Sequence, residues 1–154
     1  MNEVEDDTRL PFGDAEFDLV INRHESYEPI EVHRILRPGG RFVTQQVGGH
    51  NITSLNAMLG APEARESSWD LAHARSALED TELEVRDARE AFPLTRFADV
   101  GAIVYLLKAI PWQIADFSVD RYFDRLKELE RRARTEGCIT LRAHRFFLDA
   151  TRLI

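Results

Sequence analysis

The chain of 154 residues has one cysteine, Cys138, so no internal disulfide can form. That usage fits a reducing compartment. No apolar run approaches the ~20 residues that a membrane helix needs. The longest, from Val100 to Ile110, is interrupted by Gly101 and Lys108. There is no basic block either. The formal net charge is −7, with both signs interspersed, which argues against an extended nucleic-acid surface because phosphate binding takes a basic face. Residues Met1 to Asp7 are acidic and lack the basic and apolar regions of a secretory signal. His33, His50, His73 and His144 show no metal-ligand spacing, and with a single cysteine no zinc site is expected. Repeats and low-complexity segments are also missing. What remains is a soluble, cytoplasmic protein of one domain, residues 1–154, long enough to bury a core.

What is present reads as alternating strands and helices. Phe17-Asp18-Leu19-Val20-Ile21 is a short, nearly continuous apolar run, the pattern of a strand covered on both faces. Pro11 and Gly13 punctuate the loop before it. Pro29 opens a helix that continues through Ile30, Val32, Ile35 and Leu36, and Pro38-Gly39-Gly40 stops it. Arg41 to Val47 is a second strand, so the segment is a βαβ unit with parallel strands. Gly48-Gly49 releases the chain into a loop containing Asn51 and Asn56. The spacing then predicts a helix over Trp69–Glu79 and a strand over Leu83–Ala91. Two helices follow, one over Phe97–Leu107 and one after an N-cap at Ser118. The apolar stripe of the second is Val119, Tyr122, Phe123, Leu126 and Leu129, with Gly137 ending it. On its solvated face Glu128 and Arg132 are spaced for an i,i+4 pair. Ile139 to Leu148 closes the chain as a final strand whose alternation slips between His144 and Phe147.

Leu10-Pro11-Phe12, then Phe17-Asp18-Leu19-Val20, then Leu36-Arg37-Pro38-Gly39-Gly40-Arg41-Phe42 stand in one order and at one spacing. This set resembles the class I S-adenosylmethionine-dependent methyltransferases. In that family an acidic residue precedes the Leu-Pro-Phe, the second motif is the fourth strand, and the third turns a helix into the fifth strand. The resemblance implies an α/β fold. It would be a partial Rossmann-like sheet of the last four strands, with a helical insertion, residues 97–136, before the final strand. It also implies S-adenosylmethionine as cofactor.

The family's glycine-rich donor loop, which lets backbone approach the ligand closely, has no counterpart here. Gly13 is the first glycine and already lies past its place, and Gly48-Gly49 has neither the spacing nor the position. The expectation is a truncated chain, the C-terminal half of the fold, unable to bind the cofactor alone. The strand at 17–21 would then have an open edge, which invites pairing and predicts a homo-oligomer joined there.

The resemblance places Asp6 and Asp7 against the adenine. It places Asn22, Arg23 and His24, at the carboxyl end of the first strand, beside the methionine part of the cofactor and the substrate mouth. Ligands of open α/β sheets bind at such ends. His24, titratable near neutral pH, is the candidate general base; the simpler alternative pairs Arg23 and His24 with Glu25 or Glu28. Tyr27, Gln45, Gln46 and Asn51 fall at or beyond carboxyl strand ends and could line the mouth, although loop polarity explains them equally. Trp112, after Pro111, is a candidate lid aromatic or an ordinary packing residue, and Cys138 a buried small apolar residue. The function implied is methyl transfer to a small-molecule or macromolecular nucleophile. The alternative is a non-catalytic dimerising or regulatory module derived from a methyltransferase.

Overall fold

A computed structural model describes residues 9–63 and 68–154. In chain order the elements are β1 (Phe17–Arg23), α1 (Pro29–Ile35), β2 (Leu36–Val47), α2 (Ser54–Leu59), α3 (Leu71–Glu79) and β3 (Leu83–Ala91). They continue with β4 (Leu94–Phe97), α4 (Val100–Ala109), α5 (Phe123–Glu136), β5 (Ile139–Arg142) and β6 (Arg145–Arg152). The chain divides into two compact units, each with its own core. The first comprises residues 1–49, 67–91 and 145–154; the second comprises 50–66 and 92–144. The stretch 97–136 falls inside the second.

The first unit carries the four-stranded sheet, in the order β1-β2-β6-β3. β1 and β2 are parallel, whereas β6 runs antiparallel to both β2 and β3. Three parallel strands with one reversed strand inserted among them is thus the topology of the sheet. Val32 and Leu36, Ala74 and Leu78, and the strand residues Phe42, Phe146, Leu148 and Ala150 form one buried cluster on one face.

The turn inside β2, near its start, depends on glycine. Gly39 has φ 78°, and a Cβ at Gly40 would lie 2.8 Å from the Arg37 carbonyl oxygen and 3.1 Å from that of Phe17. Backbone cannot retreat from such a contact, so only glycine lets β2 leave the helix this closely beside β1. The register between β1 and β2 shifts between Phe17 and Leu19, where this turn is accommodated.

The loop before β1 is held by charge. Arg34 pairs with Glu31 and Asp14, both at 2.7 Å, and donates to the carbonyl oxygens of Phe12 and Leu10. Glu31 also accepts from the Leu10 N–H at 2.9 Å. The hydrogen bond from Arg34, and then that from Leu10, hold the Glu31 carboxyl down at about 2. Leu10-Pro11-Phe12 is therefore tied to α1 by side-chain chemistry, and Phe12 packs edge-on against Phe17 with ring centroids 5.0 Å apart.

The second face of β1 is open among the described residues. Leu19 is 48% exposed and Ile21 71%, whereas Val20 is partly buried. The expectation of cover on both faces fails because α1 and α3 both contribute to the cluster on the Val20 side.

In the second unit β4 and β5 form an antiparallel pair, and a cluster of Leu55, Leu59, Ile103, Leu107, Leu126, Leu129 and Leu141 is its core. Asp99 caps α4, its side chain accepting from the Ala102 N–H at 2.9 Å, so the helix begins three residues after Phe97, which ends β4. α5 begins later than expected. Ser118 accepts from the N–H groups of Arg121 and Tyr122 in a turn, and Tyr122 is the N-cap. The buried stripe is Tyr122, Leu126, Leu129 and Ala133; Val119 is exposed in the turn before the helix, and Phe123, its first residue, is exposed one position off the stripe. Glu128 pairs with Arg131 one turn on, and Arg132 with Glu136. Gly137, at φ 86°, ends the helix as expected.

The single final strand is two. Buried positions are odd-numbered through Ile139, Leu141 and Ala143, then even-numbered from His144 through Phe146, Leu148 and Ala150. At the switch the β4–β5 ladder runs out: the Ala143 N–H still donates to the Pro93 carbonyl, one step past the Leu94–Arg142 pair, whereas the His144 N–H goes to Asn51 Oδ1.

Candidate functional site

The carboxyl ends of β1 and β2 open into a cleft of about 370 Å³ lined by His24, Glu25, Tyr27, Gln46, Val47 and Trp69. Asn22 and Thr44 are opposite one another in register. Thr44 Oγ1 donates to Asn22 Oδ1 at 3.1 Å, and Gln46 Nε2 donates to the same oxygen at 2.6 Å and to the Glu25 carbonyl at 3.0 Å. Asn22 Nδ2 in turn donates to the Ser26 carbonyl. Thr44 and Gln46 are buried; satisfied by one another, they fix the floor of the cleft and the turn from Glu25 to Tyr27.

Tyr27 enters this floor between two aromatic rings, Phe42 at 4.9 Å and Trp69 at 5.9 Å, both edge-on. Its hydroxyl oxygen is buried and has no hydrogen-bond partner among the described residues. Burial pushes the phenol up to about 12. A buried hydroxyl without a partner is costly.

His24 is exposed at the rim, in the left-handed region at φ 58°, where a residue with a Cβ is uncommon. Its N–H donates to the Gln45 carbonyl at 2.8 Å. Burial first, then the charges of Arg145 and Arg23, lower its pKa and favour the neutral imidazole. Neither Arg23 nor His24 makes an ion pair among the described residues.

The cleft thus brings together His24, Tyr27 and Gln46, with Asn22 behind Gln46. Arg23 pairs in register with Gln45, and both are exposed where Asn22, Thr44 and Gln46 face inward. Strand alternation puts those two side chains on the other face. Asn51 and Trp112 lie in the second unit, where Asn51 accepts from the His144 N–H and Trp112 is 76% exposed. Asp6 and Asp7 lie outside the described residues. Trp69 and Thr44 were not legible as site residues: Trp69 looked like the start of a helix that begins at Leu71 behind an Asp70 cap.

A methyl donor of the kind the resemblance implies needs glycine backbone N–H groups that a ligand can approach. Among the described residues no segment makes that cradle. Gly39-Gly40 lies at the opposite end of β2, and the Gly49 N–H at the carboxyl end is taken by the Trp69 carbonyl at 2.7 Å. The 154 residues contain no Gly-x-Gly. Among the described residues no group of histidine, cysteine and carboxylate side chains is arranged to hold a metal ion, and no helix is long and apolar enough to cross a membrane.

No protein-family model matches the chain, and no curated protein sequence does. Solved structures do. A Bacillus halodurans protein provisionally classed as a methyltransferase superposes with a TM-score of 0.62 at 11% identity, over 97% of this chain and 70% of its own. The YcgJ protein of Bacillus subtilis gives 0.56 at 18% identity, over 94% and 68%. A SAM-dependent methyltransferase of Methanosarcina mazei gives 0.52 at 15%, over 97% and 66%. The strand order, the reversed β6 and these superpositions together give the protein a class I methyltransferase-like fold.

Proposed function

We propose that the protein is related in function to S-adenosylmethionine-dependent methyltransferases, and that these 154 residues carry the acceptor side of a methyl-transfer site without the donor-binding turn. The observation that supports this most is the cleft at the carboxyl ends of β1 and β2, where open α/β sheets hold ligands. Tyr27 offers a buried hydroxyl that a bound polar group would satisfy, and the neutral imidazole of His24 at the rim is the candidate general base for the acceptor. Gln46 and Asn22 hold the floor. Methyl transfer rests mainly on proximity and in-line alignment, which fits a site with a shaped cleft and His24 as its candidate base. In a nuclear magnetic resonance titration with millimolar S-adenosylhomocysteine, weak shifts are expected at the amides of residues 22–27 and 45–48. Shifts scattered elsewhere, or none at those positions, would remove the cleft from the reading.

A second reading is favoured by one observation. Among the described residues β1 is an edge strand of the sheet, with Leu19 and Ile21 exposed beside a backbone edge that pairs with no other strand. A second copy offers the same unpaired row, and two such rows are self-complementary about a two-fold axis. On this reading the protein is a homodimer joined at residues 17–21, acting as a dimerising or regulatory module.

A further inference from the structure

The second unit contains a cleft that the proposed site does not use. It measures about 450 Å³, and its lining includes His50, Thr53, Phe92, Leu94, Thr140 and Arg142. Its wall is a stack of three rings. The buried His144 is sandwiched between Phe92, with ring centroids at 4.5 Å and 20° between planes, and His50, at 5.5 Å and 23°. His144 Nδ1 accepts from the His50 N–H at 3.2 Å, which fixes the ring in this orientation. Phe92 is nevertheless 43% exposed and Leu94 61%. The cleft therefore presents an aromatic and an aliphatic surface held by buried structure.

The floor is the outward face of the β4–β5 pair. Ile139 and Leu141 are buried, so Thr140 and Arg142 face out. In register, Leu94 is opposite Arg142 and Arg96 opposite Thr140, which puts all four on one face. Two arginines at diagonal cross-strand positions, about 7–8 Å apart, are close enough to share one bound anion. Neither makes an ion pair or a side-chain hydrogen bond among the described residues. Elsewhere in the chain Arg34, Arg37, Arg41 and Arg131 each hold a carboxylate. Among the described residues no acidic side chain lines the cleft, although the chain as a whole carries a net charge of −7.

We propose that this cleft binds a small molecule with an anionic group, carboxylate or phosphate, on an aromatic or apolar skeleton. Arg142, supported by Arg96, takes the anion in the forked geometry that guanidinium offers such groups, and the Thr53 and Thr140 hydroxyls complete its hydrogen bonds. Phe92 and Leu94 take the skeleton. The inference does not depend on methyl transfer, since it concerns the second unit alone.

Phenyl phosphate is a suitable probe, followed by amide shifts in a nuclear magnetic resonance titration. Saturable shifts are expected at Leu94, Arg96, Thr140 and Arg142. Phenol, which lacks the charge, and inorganic phosphate, which lacks the ring, should each bind at least tenfold more weakly. Arg142→Gln should weaken phenyl phosphate about tenfold, as the loss of a charged hydrogen-bond partner does, and Arg96→Gln less. An absence of saturable shifts at these positions would overturn the proposal, as would equal binding of phenol or of inorganic phosphate. So would undiminished binding by a folded Arg142→Gln variant. The comparison of the three probes needs no variant, so it decides the matter even if Arg142→Gln does not fold.

Discussion

Replacing Tyr27 with phenylalanine removes a single oxygen from the floor of the cleft. Most truncations of buried side chains destabilise a protein, because they leave a cavity. This one should do the reverse. The ring, which makes the contacts with Phe42 and Trp69 at 4.9 and 5.9 Å, is retained, while the atom removed is buried and lacks a partner among the described residues. An unsatisfied buried hydroxyl costs about 1–3 kcal/mol, so Tyr27→Phe should stabilise the first unit by up to that amount. In a unit of fewer than 100 residues each kcal/mol raises Tm by about 4–8 °C. The two tryptophans, Trp69 and Trp112, lie in different units. In a Trp112→Phe background the fluorescence of Trp69 reports the first unit alone, in heat or in urea. The phenol adds an alkaline signature. Its folded pKa of about 12 lies above the unfolded value of 10.0, so the folded state retains the proton longer. Stability is therefore full below about pH 10 and falls as pH rises towards 12, a loss that Tyr27→Phe should not show. A drop in Tm for Tyr27→Phe would refute the reasoning, because it would mean that the hydroxyl is already satisfied.

Other predictions follow from the same geometry. Gly40→Ala places a Cβ 2.8 Å from a backbone oxygen and should destabilise by about 1–3 kcal/mol, as overpacking does; unchanged urea midpoints would contradict the close approach. Glu31, held at about 2 against 4.5 when free, contributes stability above about pH 4.5 that is lost as pH falls towards 2. Glu31→Gln should therefore be less stable near neutrality and flatter across that acid range, as followed by Trp69 emission. If β1 is a dimer edge, the protein sediments as a dimer at micromolar concentration and Ile21→Lys sediments as a monomer. A wild-type monomer would count against the second reading.

The parts of this fold that were legible in sequence are those fixed by local chemistry. Pro29 at a helix start, the glycines at 39 and 40, and Gly137 after α5 each meet a backbone requirement that few residues satisfy, and the chain turns where they stand. Leu83–Ala91 was legible as a strand from a looser signal, an alternation that the structure keeps from Leu83 to Asp87. The failures lie where tertiary partners override a local pattern. Ile139–Leu148 reads as one strand with a slipped alternation, yet its backbone bonds go to Pro93 and Asn51 at the point where parity switches, and no local signal names those partners. Ser118 is a good cap residue, but Tyr122 is buried and sets the period of α5.

The site was half legible. Topology alone puts residues at carboxyl strand ends close together, and His24, Tyr27 and Gln46 do line one cleft. Alternation within the strands was the further information needed to separate Gln46 from Gln45 and Asn22 from Arg23. Trp69 reaches the cleft through tertiary packing on Tyr27 and Phe146, for which the sequence carries no periodic signal.

The central claim is that these residues form the acceptor side of a methyl-transfer site and lack the turn that holds the donor. Calorimetric titration of the chain with S-adenosylhomocysteine tests it most directly. The account predicts no stoichiometric binding at micromolar ligand, with at most a weak millimolar interaction. Tight binding at one ligand per chain would contradict it.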